Sequence, residues 1–331
     1  MSLKTSLIFF VLLWSGLFLI TTPCNCRAEL KDHDQPLPQI EYDNHLELND
    51  YLQEKNYDWD TLSRGVPRFI LTNLPDDMEK VPHVTDKKRI FFLSLLPMVL
   101  MANNEILADR KRLIELKAPN ASRHNEIKAR DVLWVQQLAR DYGIKKNPLT
   151  DPQTMGKLLR RVDQVPASLV LAQAANESGW GTSRFARLAN NLFGEWTFKP
   201  GTGITPRDRP EGETYEIKRF KNLLASIHSY LHNINTHWAY RELRKKRAEL
   251  RSSGQPLRGL DLAQHLELYS TRRQAYVEEL RRLIRSNKLM RLTDVYLRRP
   301  EAAVQPPTYG LFSAAKFSGR HQQPPEKSTT D

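Results

Sequence analysis

Apolar residues recur with helical period along most of this chain. Phe92, Leu95, Val99, Ile106 and Leu113 fall near helical spacing, which predicts one long helix over 89–117 with Pro97 as a kink. Its most apolar stretch, 90–101, is shorter than the roughly 20 residues that cross a bilayer. Similar signals predict helices over 129–142, 153–162, 166–178, 183–190, 223–250, 260–268 and 272–287. One interval breaks the rhythm. Between Phe193 and Phe220, a run of Gly and Pro (Gly194, Pro200, Gly201, Gly203, Pro206, Pro210, Gly212) punctuates two short extended pieces at 195–198 and 214–220. The pattern predicts an α+β, predominantly helical fold, with a small β-hairpin lobe inserted into a helical domain over 86–297. Residues 29–85 hold scattered Asp, Asn and Pro with short apolar patches such as Phe69-Ile70-Leu71, and read as an irregular segment packing on that domain. From 298 to 331 Pro, Ser, Gln and Thr prevail, which predicts a disordered tail.

The helix over 166–178 carries the first chemical signal. From Pro166 to Ala175 only Ser168 and Gln173 are polar, as in a helix buried at the centre of a domain. Pro166 suits its first position and Gly179 the residue just past its end. Glu177 then lies in the last turn, where the helix dipole disfavours a negative charge. With Trp180 beside it to exclude water, desolvation raises the pKa of Glu177 and leaves a carboxylic acid able to donate a proton near neutral pH. The competing reading is a solvated last-turn residue before an ordinary glycine stop.

The first residues bear on compartment. Lys4 precedes an apolar run from Leu7 to Ile20, and a polar stretch reaches Cys26-Arg27-Ala28, a small-x-small cleavage site. Residues 1–28 therefore read as an export signal or, uncleaved, as an N-terminal anchor, and the chain is expected in the periplasm or held at the inner membrane facing it. Cys24 and Cys26 are the only cysteines, so cleavage after Ala28 leaves no disulfide and stability rests on core burial. The net charge of +12 favours an anionic partner. For an exported protein that partner is not nucleic acid; cell-wall carboxylates or an anionic membrane face fit better. The bland alternative for the basic runs 241–251 and 281–291 is a solvated surface.

After Glu177, the stretch Leu188-Ala189-Asn190-Asn191-Leu192-Phe193-Gly194 leads directly from a helix into the lobe, so acid and lobe are tied by a short tether with a cleft between them. Here the chain resembles the glucosaminidase domain family, glycoside hydrolase family 73. The likeness rests on Glu177-Ser178-Gly179-Trp180-Gly181, on Asn190-Asn191-Leu192-Phe193-Gly194 and on Tyr240 in His237-Trp238-Ala239-Tyr240. It is closer to the bacterial Bax-like branch through 233–241 and 269–277, and covers about residues 86 to 290. The resemblance implies a lysozyme-like helical domain with a β lobe, and hydrolysis of peptidoglycan at the β-1,4 bond after N-acetylglucosamine, with Glu177 protonating the leaving oxygen. It implies no metal or organic cofactor.

The family also places a second acidic residue in the lobe, where Glu211, Glu213 and Glu216 compete. Glu213 is preferred, because 214–220 reads as the returning strand and Glu213 stands at its mouth. The second step is either water activation by that carboxylate or participation of the substrate's acetamido group. Tyr240 is expected to steady the charged centre or to position the acetamido group. Trp180, Asn191, Phe193, Trp196 and Trp238 are the expected substrate-binding residues, although each aromatic is individually as compatible with a core position. Relatives carry a cysteine pair in the lobe where this chain has Thr197 and Thr202, which implies a looser lobe. His228 and His232 have the spacing of metal ligands, but Ser229 replaces the Glu of a zinc protease motif, so helix-face histidines are the better reading. The rival functions are a lytic transglycosylase using the same acid, a non-catalytic glycan-binding protein, and a membrane-surface scaffold.

Overall fold

A computed structural model describes residues 37–117, 127–207 and 209–299. The export or anchor segment 1–28 and the tail from residue 300 onward lie outside them. The chain starts with β1 (Gln39–Ile40), α1 (His45–Glu54) and β2 (Ile70–Leu71), and the two strands pair in parallel. This region, expected to be irregular, carries α1 because the Asn44 side chain accepts from the amides of Leu46 and Glu47, and because Leu48 and Leu52, one turn apart, are buried. Val66, Phe69, Leu71, Leu74 and Met78 continue into the main core, so residues 37–81 share it rather than cover it from outside. Arg298, assigned to the tail by composition, is instead fixed to this segment: its amide donates to the carbonyl of Val66 and its guanidinium to those of Lys55, Gly65 and Asn56.

Helix α2 (Val84–Lys117) runs unbroken through the buried Pro97. Part of it is apolar enough to cross a membrane by composition, but 72% of that window is buried inside the fold, as befits a core helix. Its C-terminal half meets α3 (Ala129–Asp141) and α4 (Pro152–Arg161) in a second, smaller core around Leu113, Val135, Leu138 and Leu158. Next come α5 (Ala167–Ser178) and α6 (Arg184–Ala189), then the lobe. The lobe is a three-stranded antiparallel sheet of β3 (Trp196–Thr197), β4 (Gly203–Ile204) and β5 (Glu216–Lys218), with β5 in the middle. The two-piece expectation lacked β4. The chain closes with α7 (Leu223–Thr236), α8 (Arg241–Ser252), α9 (Gly259–Ala263) and α10 (Gln274–Ser286).

The helix predicted over 223–250 breaks at His237, whose backbone is extended, and a single tight turn over Trp238–Tyr240 separates α7 from α8. Arg244 stabilises the break by donating to the carbonyls of Ile234 and His237, both at 2.8 Å. The break redirects the chain so that Tyr240 turns inward. The result is a predominantly helical, lysozyme-like α+β fold.

Helix α5 lies at its centre, packed against α2, α9 and α10. Ten of its twelve residues are buried, and the exceptions are Asn176 and Glu177. Side chains pin its approach. Asn103 exchanges two hydrogen bonds with the backbone of Val165, at 2.8 and 3.0 Å, while Asn235 and Arg247 donate to the carbonyl of Asp163 at 2.9 and 3.0 Å. Arg247 is fully buried, and its two terminal nitrogens donate to the carbonyls of Arg160, Asp163 and Gln164 at and after the end of α4, with its Nε 3.8 Å from the Asp163 carboxylate.

Candidate active site

Glu177 is half-buried in the last turn of α5, and Gly179 ends the helix in the left-handed conformation at φ 57°. Ser178 holds the turn by donating to the carbonyl of Ala174 at 2.6 Å and accepting from the amide of Gly181 at 2.9 Å. Burial raises the pKa of Glu177, against hydrogen bonds from Asn176 and Tyr276 and the charge of Arg272, all of which favour the carboxylate. Asn176 Nδ2 lies 3.1 Å from Glu177 Oε1.

One turn back on the same face of α5, Gln173 is fully buried and connects two tyrosines. The Tyr230 hydroxyl donates to Gln173 Oε1, and Gln173 Nε2 donates to the Tyr276 hydroxyl at 2.9 Å. Having accepted from Gln173, the Tyr276 hydroxyl keeps its own proton free to donate. The aromatic wall continues outward. Tyr276 stacks on Tyr269 with centroids 5.4 Å apart, Tyr269 meets Tyr240 at 6.0 Å, and the Tyr269 hydroxyl donates to the carbonyl of Phe193 at 3.2 Å. Phe193 is stacked on Tyr230 at 4.0 Å, which closes the ring of contacts from α5 through α10 to the root of the lobe. Tyr240 is buried and its pKa is pushed up to about 12, first by desolvation and then by the negative charges of Glu195 and, more weakly, Glu177. Its hydroxyl therefore stays protonated at any physiological pH.

The lobe side of this cleft is set by Asn191. Buried at 2% exposure, it donates to the carbonyls of Glu195 and Lys218, both at 2.8 Å, and accepts from the Glu195 amide at 3.0 Å. Glu195, which the sequence reading did not single out, is mostly buried, and desolvation raises its pKa against the Ser229 hydrogen bond and the Lys218 charge. Ser229 donates to Glu195 Oε2 at 2.7 Å and accepts from Lys218 Nζ at 2.7 Å. The three acids weighed from sequence sit differently. Glu211 and Glu213 are exposed in the turn ahead of β5, whose first residue is Glu216 rather than Thr214. Glu216 accepts from the amides of Gly201 and Gly203 at 3.0 and 2.8 Å, and the Gly201 bond chiefly lowers its pKa.

The structure thus brings Glu177, Tyr240, Asn191 and Phe193 to one place. Trp180 faces α2 instead, edge-on to Phe91 and Phe92 at 5.9 and 5.2 Å, with Lys88 over its ring. Trp196 is 56% exposed and stacks on Tyr215 at 4.5 Å, and Trp238 is 72% exposed beside His237. The histidines point to separate partners, His228 to Glu105 and His232 to the carbonyl of Asp141. Among the described residues, Trp180, Asn190 and Arg273 take positive φ within three residues of Glu177, Asn191 and Tyr276, so left-handed backbone recurs beside the cleft. Of the residues sequence reading missed, Gln173 alone had a local signal: a polar side chain in an apolar helix, four residues before Glu177. Glu195, Tyr230 and Tyr276 acquire their places only through tertiary contacts.

Comparison with known proteins bears on this arrangement. A family model named glucosaminidase, described as mannosyl-glycoprotein endo-beta-N-acetylglucosaminidase, matches residues 154–289. The chain is similar to the protein bax of Escherichia coli (strain K12), 33% identical over 217 residues that cover 66% of this chain and 75% of that protein. No solved structure matches it.

Proposed function

Because this chain belongs to the glucosaminidase family and is a glycoside hydrolase, we propose that it is an exported enzyme that cleaves peptidoglycan at the β-1,4 bond after N-acetylglucosamine. Glu177 is its general acid. The observation that carries this reading is the placement of Glu177: it is the one carboxylate at the end of the buried α5, held by Asn176, with its pKa raised by desolvation. Its proton passes to the glycosidic oxygen as the bond to C1 breaks, and positive charge develops on the sugar ring. Tyr240, protonated and facing the same cleft, presents hydroxyl lone pairs to that charge or to the acetamido group. The exposed Trp196 and Trp238 offer ring faces on which sugars stack, while Trp180 supports the loop after Glu177 from below. Residues 1–28 direct the chain to the envelope, cleaved as a signal or kept as an anchor.

The test is digestion of isolated peptidoglycan by the purified 29–331 chain and by its Glu177→Gln variant, with mass spectrometry of the soluble products. Reducing-end N-acetylglucosamine from the unsubstituted chain alone is the expected result. Anhydro ends replace the hydrolase with a lytic transglycosylase, and release from neither protein leaves a glycan-binding protein.

A further inference from the structure

We infer that Arg272 and Arg273, on the turn that crowns the aromatic wall of the cleft, bind a carboxylate of the substrate, so that the enzyme selects β-1,4 glycans with acidic substituents over neutral ones of the same linkage. The inference rests on the hydrolase reading above and names the substrate class of that site. The position of the turn follows from its two ends. Tyr269 and Tyr276 are stacked with nearly parallel rings, 5.4 Å between centroids, so the turn at 270–273 that joins them closes at the edge of the wall. Tyr269 continues to Tyr240 at 6.0 Å and to the carbonyl of Phe193, while the Tyr276 hydroxyl accepts from Gln173, one helical turn before Glu177. Residues 271–275 are all exposed, and the turn is tied down by its own bonds: the Arg273 amide donates to the Ser270 carbonyl at 3.1 Å and the Arg272 amide to the Ser270 hydroxyl at 3.3 Å.

The two arginines are held differently. Arg272 pairs with Glu279 at 2.7 Å, and its guanidinium lies over the Tyr276 ring, 5.8 Å from the centroid, which orients it on the wall with more than half of the side chain exposed. Arg273 is exposed and its guanidinium has no hydrogen-bond or ion-pair partner among the described residues. Its backbone, at φ 50° and ψ −118°, is that of the first central residue of a type II′ turn, where glycine is the relaxed choice. An arginine costs stability there and gains no contact within the fold that offsets it, which marks a residue kept for a ligand. A guanidinium fork matches a carboxylate through two parallel N–H···O bonds. Arg110, Arg247 and Arg251 are arginines of the other kind: they converge on Asp163, ahead of α5 and at its end opposite Glu177, and brace the fold. Peptidoglycan offers the carboxylate from two sources, the lactyl ether of N-acetylmuramic acid in a bare strand and the stem peptide in a substituted one.

The experiment measures binding and kcat/KM for the unsubstituted chain, Arg272→Gln and Arg273→Gly on soluble peptidoglycan strands, each with its carboxylates free and amidated. Strands stripped of peptide present the lactyl carboxylate alone and stem-bearing strands those of the peptide, so the pair of substrates tells which source is read. The unsubstituted chain is expected to favour free carboxylates about tenfold, chiefly through KM, because the contact is made before the bond breaks and persists as it does. In both variants that ratio falls toward one. Arg273→Gly also relaxes the turn, so it should melt no lower than the unsubstituted chain, and a lost preference is then not a lost fold. Equal kcat/KM and equal binding of free and amidated strands by the unsubstituted chain overturn the assignment, as does a preference that survives in both variants. An unsubstituted chain that binds free-carboxylate strands preferentially yet releases no product from any strand keeps the arginine assignment and rejects the hydrolase reading, which separates the two failures.

Discussion

The two walls of the cleft are built on opposite principles. On the helical side, Glu177 rides on α5, whose position is set by burial of ten of twelve residues against three other helices. That kind of constraint is non-directional and redundant, because many small contacts must fail before the helix moves. The lobe has strands of two or three residues and only Ile217 among them is buried, so it is held by directional bonds: Asn191 to three backbone groups, Glu216 to two amides, Lys218 and Glu195 to Ser229. Each is a point where one substitution can release the wall. The same contrast separates two acids within the lobe. Burial raises the pKa of Glu195, whereas amide donors lower that of the solvent-facing Glu216. Both carboxylates are supplied with donors, Glu216 by two amides and Glu195 by Ser229 and Lys218, so it is burial and not the lack of partners that separates their protonation.

The largest effect expected from breaking this arrangement is chemical and comes from the helical wall. Glu177→Gln should reduce turnover by about 10²- to 10⁴-fold without unfolding the chain. Its stability should rise. The folded pKa of Glu177 lies above its unfolded value, so folding favours the protonated form; that contribution is full below the unfolded pKa and is lost as pH rises through the folded one. Thermal melts at neutral pH should therefore place the variant above the unsubstituted chain, with the gap closing toward acid. A variant that melts lower at neutral pH contradicts the desolvated placement of Glu177. Activity of the unsubstituted chain should also fade on the alkaline side as Glu177 loses its proton, at a pH higher than an ordinary glutamate would give.

Next in size is Asn191→Ala, which strips partners from the Glu195 amide and from the carbonyls of Glu195 and Lys218. With about 1–3 kcal/mol lost for each buried group left unsatisfied, a total near 3 kcal/mol is expected after partial hydration. Hydrogen exchange should show the loss confined to 195–220, with α5 still protected. Uniform loss across both walls would mean that the lobe and the helices unfold as one unit. Gly181→Ala probes the helical wall at its loop. Gly181 sits at φ 82°, and an added Cβ would lie 2.4 Å from Leu74 Cδ1, so a cost of roughly 2 kcal/mol is expected from strain and overpacking together. Because Leu74 belongs to the N-terminal segment, the same substitution tests whether residues 37–81 brace the turn that carries Glu177.

The contrast also explains what could be read in the sequence. The α5 helix and its acid were legible because a nearly all-apolar run from Pro166 to Ala175, stopped at Gly179, announces a core helix, and burial then dictates the electrostatics of Glu177. In α1, Leu48 and Leu52 alone mark the buried face, too few to stand out from an irregular stretch. The break at His237 was hidden because the apolar period continues through it; carbonyl contacts from Arg244 stabilise it. Glu195 was illegible for the lobe's own reason. Its partners at 191, 218 and 229 meet it only after three elements have folded, and no local pattern encodes that meeting.

The smallest effect expected on activity comes from stiffening the lobe where its sequence departs from the cysteine pair implied by the resemblance. Thr197 and Thr202 occupy those positions, and their hydroxyls lie 2.9 Å apart across the bend between β3 and β4. A hydrogen bond already joins the two side chains, so Thr197→Cys with Thr202→Cys replaces a directional bond by a covalent one. Closing so short a loop should add roughly 2 kcal/mol under oxidising conditions, reversed by reductant. Melting temperature should rise and exchange at the lobe should slow, while turnover stays within about twofold. A large drop in turnover restored by reductant would change the meaning of the contrast. The directional bonds of the lobe would then be weak because the reaction cycle requires them to open, the lobe moving against an acid held still on α5.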